Sequence, residues 1–114
     1  MSEKTKRVRR IAGLIQSVVA QVLQKEVHDP RLANVTISGI DLAPDYGQAI
    51  LFFSMPDSAP ELVKAAEKAF EKAASFFRFQ VSQSTELRYT PQLLFRYDAS
   101  IARAEKIQQL LNAV

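Results

Sequence analysis

The stretch NVTISGIDLAPDYGQAILFFSM, residues 34–55, decides the fold class of this chain. In its first part, residues 34–42, apolar and polar positions alternate, and the alternation changes face at Gly39, where we expect a β-bulge. Residues 44–47 (Pro-Asp-Tyr-Gly) are typical of a turn. Residues 49–55 are nearly all apolar, which indicates a well-covered strand. The stretch therefore predicts an antiparallel β-hairpin.

Helical periodicity lies on both sides of this hairpin. Over residues 6–27 apolar side chains recur at helical spacing, and Asp29–Pro30 should end the helix because the residue before a proline avoids helical dihedral angles. After the hairpin, Ser58 and Glu61 have the spacing of a capping box, which predicts the start of a second helical region. Its apolar stripe fades through residues 82–85.

The end of the chain adds a third strand and a last helix. We expect the strand at residues 92–97, and Ser100 is expected to cap a short C-terminal helix. The simplest compact solution is an α+β fold in which two helices cover one face of a three-stranded sheet. The order matches a single type II KH-like domain, α-β-β-α-α-β plus a short helix, over residues 6–114. Residues 1–5 are expected to form a flexible basic end.

Composition excludes several classes of protein. The 114 residues suffice for one domain, and the absence of cysteine excludes disulfides and thiolate metal sites. With one histidine, His28, zinc sites built on several imidazoles are excluded too. No apolar run approaches the roughly 20 residues of a membrane-spanning helix, and no signal peptide is recognisable. A cytoplasmic protein is expected.

The glycines argue against the usual KH mechanism. KH domains bind the nucleic-acid backbone with a Gly-x-x-Gly loop, and the glycines of this chain are Gly13, Gly39 and Gly47, none of which lies in the second helical region. Gly13, inside the first helix, is expected to permit the close approach of another backbone.

Charge is distributed unevenly along the chain. The formal net charge is +3, but residues 1–10 carry +4, residues 29–71 carry −4, and residues 72–114 carry +3. A concentrated basic surface attracts phosphate even when the total charge is small. The distribution therefore favours an anionic partner, although a solvated basic tail explains the charge of the first ten residues equally well.

Three local sequences resemble the ribosome-binding factor A family of small ribosomal assembly factors. They are RVRRIA at residues 7–12, KEVHDPRL at residues 25–32, and LRYTPQLLFRYD at residues 87–98. They occur in the family's order and spacing, and the likeness covers essentially the whole chain. The resemblance implies a KH-like fold in which an Ala-x-Gly kink replaces the Gly-x-x-Gly loop.

The kink positions here are Ala73-Ala74-Ser75, so serine replaces glycine, and the kink is either shallower or absent. The resemblance further implies binding to the free or immature 30S subunit through 16S rRNA and a role in late maturation and rRNA processing, notably in the cold. It implies a cytoplasmic monomer with no cofactor and no membrane partner. Many members carry a charged C-terminal tail, and this sequence ends at Val114.

Basic side chains are the candidate RNA contacts because they bind phosphates. The predicted set is Lys6, Arg7, Arg9, Arg10, Arg31, Arg78 and Arg88. Arg31 has the equally good alternative of pairing with Asp29 or with the carbonyls at the end of the first helix. Arg88 has the alternative of binding Asp98 or Glu86. Phe79 falls off the apolar stripe of the second helical region and is the candidate base-stacking aromatic.

No catalytic site is expected. Glu26 with Asp29, and Asp41 with Asp45, are acidic pairs without a phosphate-binding glycine loop or convergent histidines. The leading hypothesis is a non-catalytic RNA-binding assembly factor. The alternative is a protein–protein adaptor that docks a partner through the open face of the sheet or the first helix.

Overall fold

The computed structural model describes residues 2–113, except for the side chains of Ile101, Ala102 and Glu105. Within this range the architecture is α+β, as predicted, with three α-helices, one 3-10 turn and three strands. In chain order they are α1 (Glu3–Lys25), the 3-10 turn (Pro30–Leu32), β1 (Thr36–Leu42), β2 (Gln48–Ser54), α2 (Pro60–Ser84), β3 (Gln92–Tyr97) and α3 (Ala99–Asn112).

The strands form one sheet in the order β1-β2-β3. β1 and β2 pair antiparallel, as expected for the hairpin, and β3 lies parallel to β2 after the α2 crossover. The register shifts between Ile37 and Gly39, which confirms the predicted bulge. Because the bulge adds one residue, Ile37 and Ile40 face the same side of the sheet although they are an odd number of positions apart.

One face of the sheet packs against α1 and α2. Ala49, Leu51 and Phe53 alternate along β2 and are fully buried on this face. Phe70 of α2 stacks on Phe95 of β3 with ring centroids 4.3 Å apart, and its ring lies 5.0 Å from that of Phe53. The first helix adds a stripe whose buried members are Ile15, Val19, Val22 and Leu23.

The ends of α1 are determined by local hydrogen bonds. The helix begins at Glu3, before the predicted start at Lys6, because the Ser2 hydroxyl accepts a hydrogen bond from the Thr5 backbone N–H at 3.1 Å. Residues 3–5 of the predicted flexible end are therefore helical. The helix ends at Lys25, before the Asp-Pro pair that was expected to end it.

α2 is one continuous helix of 25 residues, where the predicted order has two. Residues 73–75, at the position of the family's kink, lie inside it. Alanine and serine lack the backbone freedom of glycine, and Phe70 and Phe77 keep the stripe buried on both sides, so the helix continues. The predicted capping box is wrong: Ala59 is the N-cap residue, and the Asp57 side chain accepts from its N–H at 3.0 Å.

Asp98 connects β3 to α3. It, rather than the predicted Ser100, is the N-cap residue, and its carboxylate accepts from the Ser100 N–H and the Ser38 hydroxyl, each at 3.0 Å. Hydrogen bonds from the hydroxyl and the N–H of Ser100 lower the pKa of Asp98. Beyond this turn, α3 leaves the core and exposes Ile107, Leu110 and Leu111.

Gly13 does not serve the close approach predicted for it. A Cβ atom built at this position meets nothing within 4 Å. We therefore expect Gly13→Ala to raise the free energy of unfolding by about 1 kcal/mol, because alanine favours the helix. Urea denaturation followed by circular dichroism measures this difference. A decrease in stability would show that the backbone at residue 13 needs glycine.

Candidate nucleic-acid interface

The connectivity of the sheet determines which helix ends lie together. β2 and β3 begin side by side, with the Gln92 N–H donating to the Gly47 carbonyl at 3.0 Å, so α2 ends near the start of both strands. α1 ends at the opposite end of the sheet, where Leu23 and Val27 line a cleft with Val35 just before β1. The start of α1 and the end of α2 therefore lie at the same end of the molecule.

We name this end the basic end and define it as residues 6–10, residues 78–84 and the loop 85–91. Val8 and Ile11 pack against the core and so set the rotation of α1 about its axis. This rotation leaves the four predicted cations of the helix exposed: Lys6, Arg7, Arg9 and Arg10. Lys6 lies 4.0 Å from the exposed carboxylate of Glu3, a separation at which a surface pair contributes little.

Arg31 lies at the opposite end of the molecule and is paired. Its Nη2 is 2.7 Å from Oδ2 of Asp29, and its Nε donates to Oδ1 at 3.0 Å. Hydrogen bonds from the Arg31 side chain and backbone hold the pKa of Asp29 at about 2. The predicted alternative, a pair with Asp29 next to the 3-10 turn, is therefore present, and the fold does not bring Arg31 to the basic end.

Arg78 connects the end of α2 to the loop before β3. Its Nη2 donates to the Thr90 carbonyl at 2.8 Å, and its Nε donates to the Pro91 carbonyl at 3.2 Å. Pro91 is among the fully buried side chains. A guanidinium that binds two carbonyl oxygens across 12 residues or more holds the loop against the helix, so Arg78 has a structural role within the predicted binding surface.

Arg88 is exposed on the same loop. Its guanidinium carbon lies 5.9 Å from the centroid of the Tyr89 ring, within the range of a cation–π contact. Among the residues with described side chains, neither Glu86 nor Asp98 forms a salt bridge with it, so the alternative of a strand-pinning pair is absent from this structure. Its charge is available to a ligand.

A cleft of about 460 Å³, which we name the Phe79 cleft, opens between α2 and this loop. Its lining includes Ser75, Arg78, Phe79, Ser82, Arg88 and Tyr89. Phe79 is 57% exposed and Tyr89 is 73% exposed, which is unusual for large aromatic side chains. The sequence singled out Phe79 but missed Tyr89. Tyr89 could have been found from its position beside an arginine in a loop that precedes a strand.

A second groove, of about 490 Å³, runs between α2 and the free edge of β3. Glu67 and Glu71 line it together with Arg96, which is exposed. Two carboxylates beside one guanidinium give this groove a net negative charge, which repels phosphate. Electrostatics therefore favour the basic end over the β3 groove for a polyanion.

One member of each acidic pair considered in the sequence has a local partner. Asp29 binds Arg31, and the Asp45 side chain accepts from the Gly47 N–H at 2.9 Å within the hairpin turn. Across residues 2–113, as far as side chains are described, no group of three or more potential ligands is placed to hold a metal ion. In that same range, no helix combines the length and apolar character required to cross a membrane.

Comparison with known proteins gives consistent matches. Residues 7–111 match the family model for ribosome-binding factor A. The ribosome-binding factor A of Coxiella burnetii (strain Dugway 5J108-111) is 39% identical over 108 residues, covering 95% of this chain and 89% of that protein. The Pseudomonas putida protein of the same name is 36% identical over 113 residues, covering 98% and 86%.

Solved structures share the fold. The crystal structure of ribosome-binding factor A from Thermus thermophilus has a TM-score of 0.70 at 19% identity, covering 79% of this chain and 93% of that one. A homology model of the Thermus thermophilus factor, fitted into the cryo-EM map of its 30S complex, has a TM-score of 0.66 at 17% identity, with the same coverage. From the family match and the relatives' identity over nearly the whole chain, this protein belongs to the ribosome-binding factor A family.

Proposed function

We propose that this protein is a non-catalytic assembly factor that binds the free or immature 30S subunit through 16S rRNA and assists late maturation and rRNA processing. The observation that carries the proposal is the basic end, where the strand directions put the four cations of residues 6–10 on the same side of the fold as Arg88 of the loop 85–91. The names of its relatives support the same partner, as does the 30S complex of the Thermus thermophilus protein.

The proposed contacts follow from the availability of charge. Lys6, Arg7, Arg9 and Arg10 present four exposed cations, and Arg88 adds a fifth from the loop. Arg78 retains N–H groups that its two carbonyl partners do not use, so it stays in the proposed surface. Arg31 stays a predicted contact, but we rank it below the others because its guanidinium is paired with the Asp29 carboxylate.

The proposed mechanism needs differential binding and no chemistry. A rigid body that binds one arrangement of immature rRNA more tightly than the mature one shifts the population toward that arrangement. Maturation then lowers the affinity and releases the protein. We propose that it acts as a cytoplasmic monomer. A cofactor is not needed for binding, since phosphate neutralisation by Lys and Arg supplies the binding energy.

Sedimentation through sucrose gradients with purified ribosomal subunits tests this function. We expect the protein to migrate with small subunits at low salt, more strongly with immature than with mature ones, and to dissociate as salt rises. Large subunits are the control. Failure to migrate with small subunits at low salt would overturn the proposal. Binding that survives both nuclease treatment and high salt would favour the protein–protein adaptor instead.

A further inference from the structure

We propose that the Phe79 cleft holds one unpaired base of the bound RNA, stacked on Phe79 or Tyr89, so that the protein distinguishes single-stranded from duplex segments. This inference rests on the proposed function and specifies the ligand of the Phe79 cleft, which is part of the basic end. Phosphate contacts along α1 do not distinguish paired from unpaired RNA, because single-stranded and duplex segments both expose their phosphates.

Two exposed aromatic side chains, Phe79 and Tyr89, face the cleft. Phe77 and Val81, on the same helix, are fully buried, whereas Phe79 between them is 57% exposed and faces the cleft. Tyr89 faces the same cleft from the loop and is 73% exposed. Two large aromatic surfaces that the core does not use are a platform for a flat ligand. Bases stack on such side chains whatever their identity.

The cleft is already formed before any ligand arrives. Arg78 bonds to the Thr90 and Pro91 carbonyls and so holds the loop against α2. The Thr85 hydroxyl donates to the Val81 carbonyl at 2.8 Å at the helix end. A volume of about 460 Å³ lies within the usual range of about 300–1,000 Å³ for small-ligand sites. This volume suits a single unpaired nucleotide. A base in a duplex cannot stack on Phe79 or Tyr89, because neighbouring bases cover both of its faces.

Charge identifies a nucleotide rather than an apolar side chain as the occupant. Arg88 lies at the rim, 5.9 Å from the Tyr89 ring, where it can meet the phosphate of a stacked nucleotide. Ser75 and Ser82 add hydroxyl groups on the helix side of the cleft. A pocket that joins aromatic faces, a free cation and small polar groups matches a base with its phosphate.

Photocrosslinking tests the contact directly. A short single-stranded RNA carrying one 5-iodouridine should crosslink on irradiation to Phe79 or Tyr89, since this base couples to aromatic side chains stacked on it, and mass spectrometry locates the bond. In Phe79→Leu and Tyr89→Leu we expect lower crosslink yield and about 5-fold or more weaker binding of that RNA in fluorescence anisotropy. Binding of a fully paired duplex of the same sequence should not change.

Phe76→Leu is the matched control. Phe76 lies on the same helix, is 40% exposed, and does not line the cleft, so its replacement should leave the crosslink and both affinities unchanged. Crosslinking elsewhere, or equal weakening of duplex binding, would overturn the cleft assignment. If the wild type sediments with small subunits but shows no crosslink in the cleft, the inference fails while the proposed function stands. If the crosslink forms but subunits are not bound, the proposed function fails instead.

Discussion

We expect the double variant Arg7→Glu/Arg10→Glu to bind small ribosomal subunits about 25- to 60-fold more weakly at about 0.1 M salt. Each phosphate neutralised by a cation contributes roughly 0.7–0.9 to the slope of log affinity against log salt, and the variant loses two such contacts. The new carboxylates also repel the RNA, so the stated loss of affinity is a lower bound. Sedimentation or filter binding at several salt concentrations measures both the affinity and the slope.

The fold should survive this change. Arg7 and Arg10 are exposed, and Val8 and Ile11, which dock α1 on the core, are untouched. Both positions lie beyond the first turn of α1, where the helix dipole has little effect, so the free energy of unfolding should change little. Thermal denaturation of the variant therefore separates a loss of binding from a loss of structure.

The matched control is Lys64→Glu/Lys68→Glu, which makes the same change of charge. Both lysines are exposed on α2, before its midpoint and away from the basic end. This variant should bind subunits far better than the α1 variant, because only long-range charge has changed. Equal losses in the two variants would show that net charge, and not the basic end, determines binding.

Phe70→Ala should cost about 3–5 kcal/mol of unfolding free energy, the usual loss when a buried phenylalanine is truncated. Phe70 is fully buried at the centre of the aromatic cluster, stacked on Phe95 and next to Phe53 and Phe77. Removing the ring leaves a cavity and ends three aromatic contacts at once. Because a small domain is stable by only about 5–15 kcal/mol, this loss is a large fraction of its total stability.

Chemical denaturation measures the loss, and Phe76→Ala is its control. Phe76 is 40% exposed, so truncating it leaves no enclosed cavity and should cost less than half as much. Phe70→Leu, which fills most of the space, should recover much of the stability. If Phe70→Ala loses under about 1 kcal/mol, the packing of α2 on the sheet described above is wrong.

Much of the fold was readable because its signals are local. Strand β3 was predicted at its observed bounds, since Pro91 and Asp98 flank a short apolar run. The bulge near Gly39 followed from a change of alternation that only an extra residue explains. The predicted starts of α1 and α3 differ from the observed ones, where Ser2 and Asp98 are the N-cap residues. Several nearby residues have the same capping chemistry, so the sequence does not single out one of them.

The candidate site was half readable. Basic residues at 6–10 were identified by charge alone, and their exposure agrees with the periodicity of α1. Arg31 and Arg78 look the same in the sequence, yet the first binds a carboxylate and the second binds two backbone carbonyls. Hydrogen-bond partners more than ten residues away, such as those of Arg78, depend on the path of the loop and leave no local pattern.

The amino-acid order by itself determined the three strands, the first helix, the residues that face the core and membership of the family, because periodicity and short motifs act between near neighbours. Only the tertiary structure decided that residues 6–10 and the loop 85–91 lie at one end and that Phe79 and Tyr89 share a cleft. The physical reason is the parallel crossover from β2 through α2 to β3, which brings distant segments to the same end of the sheet.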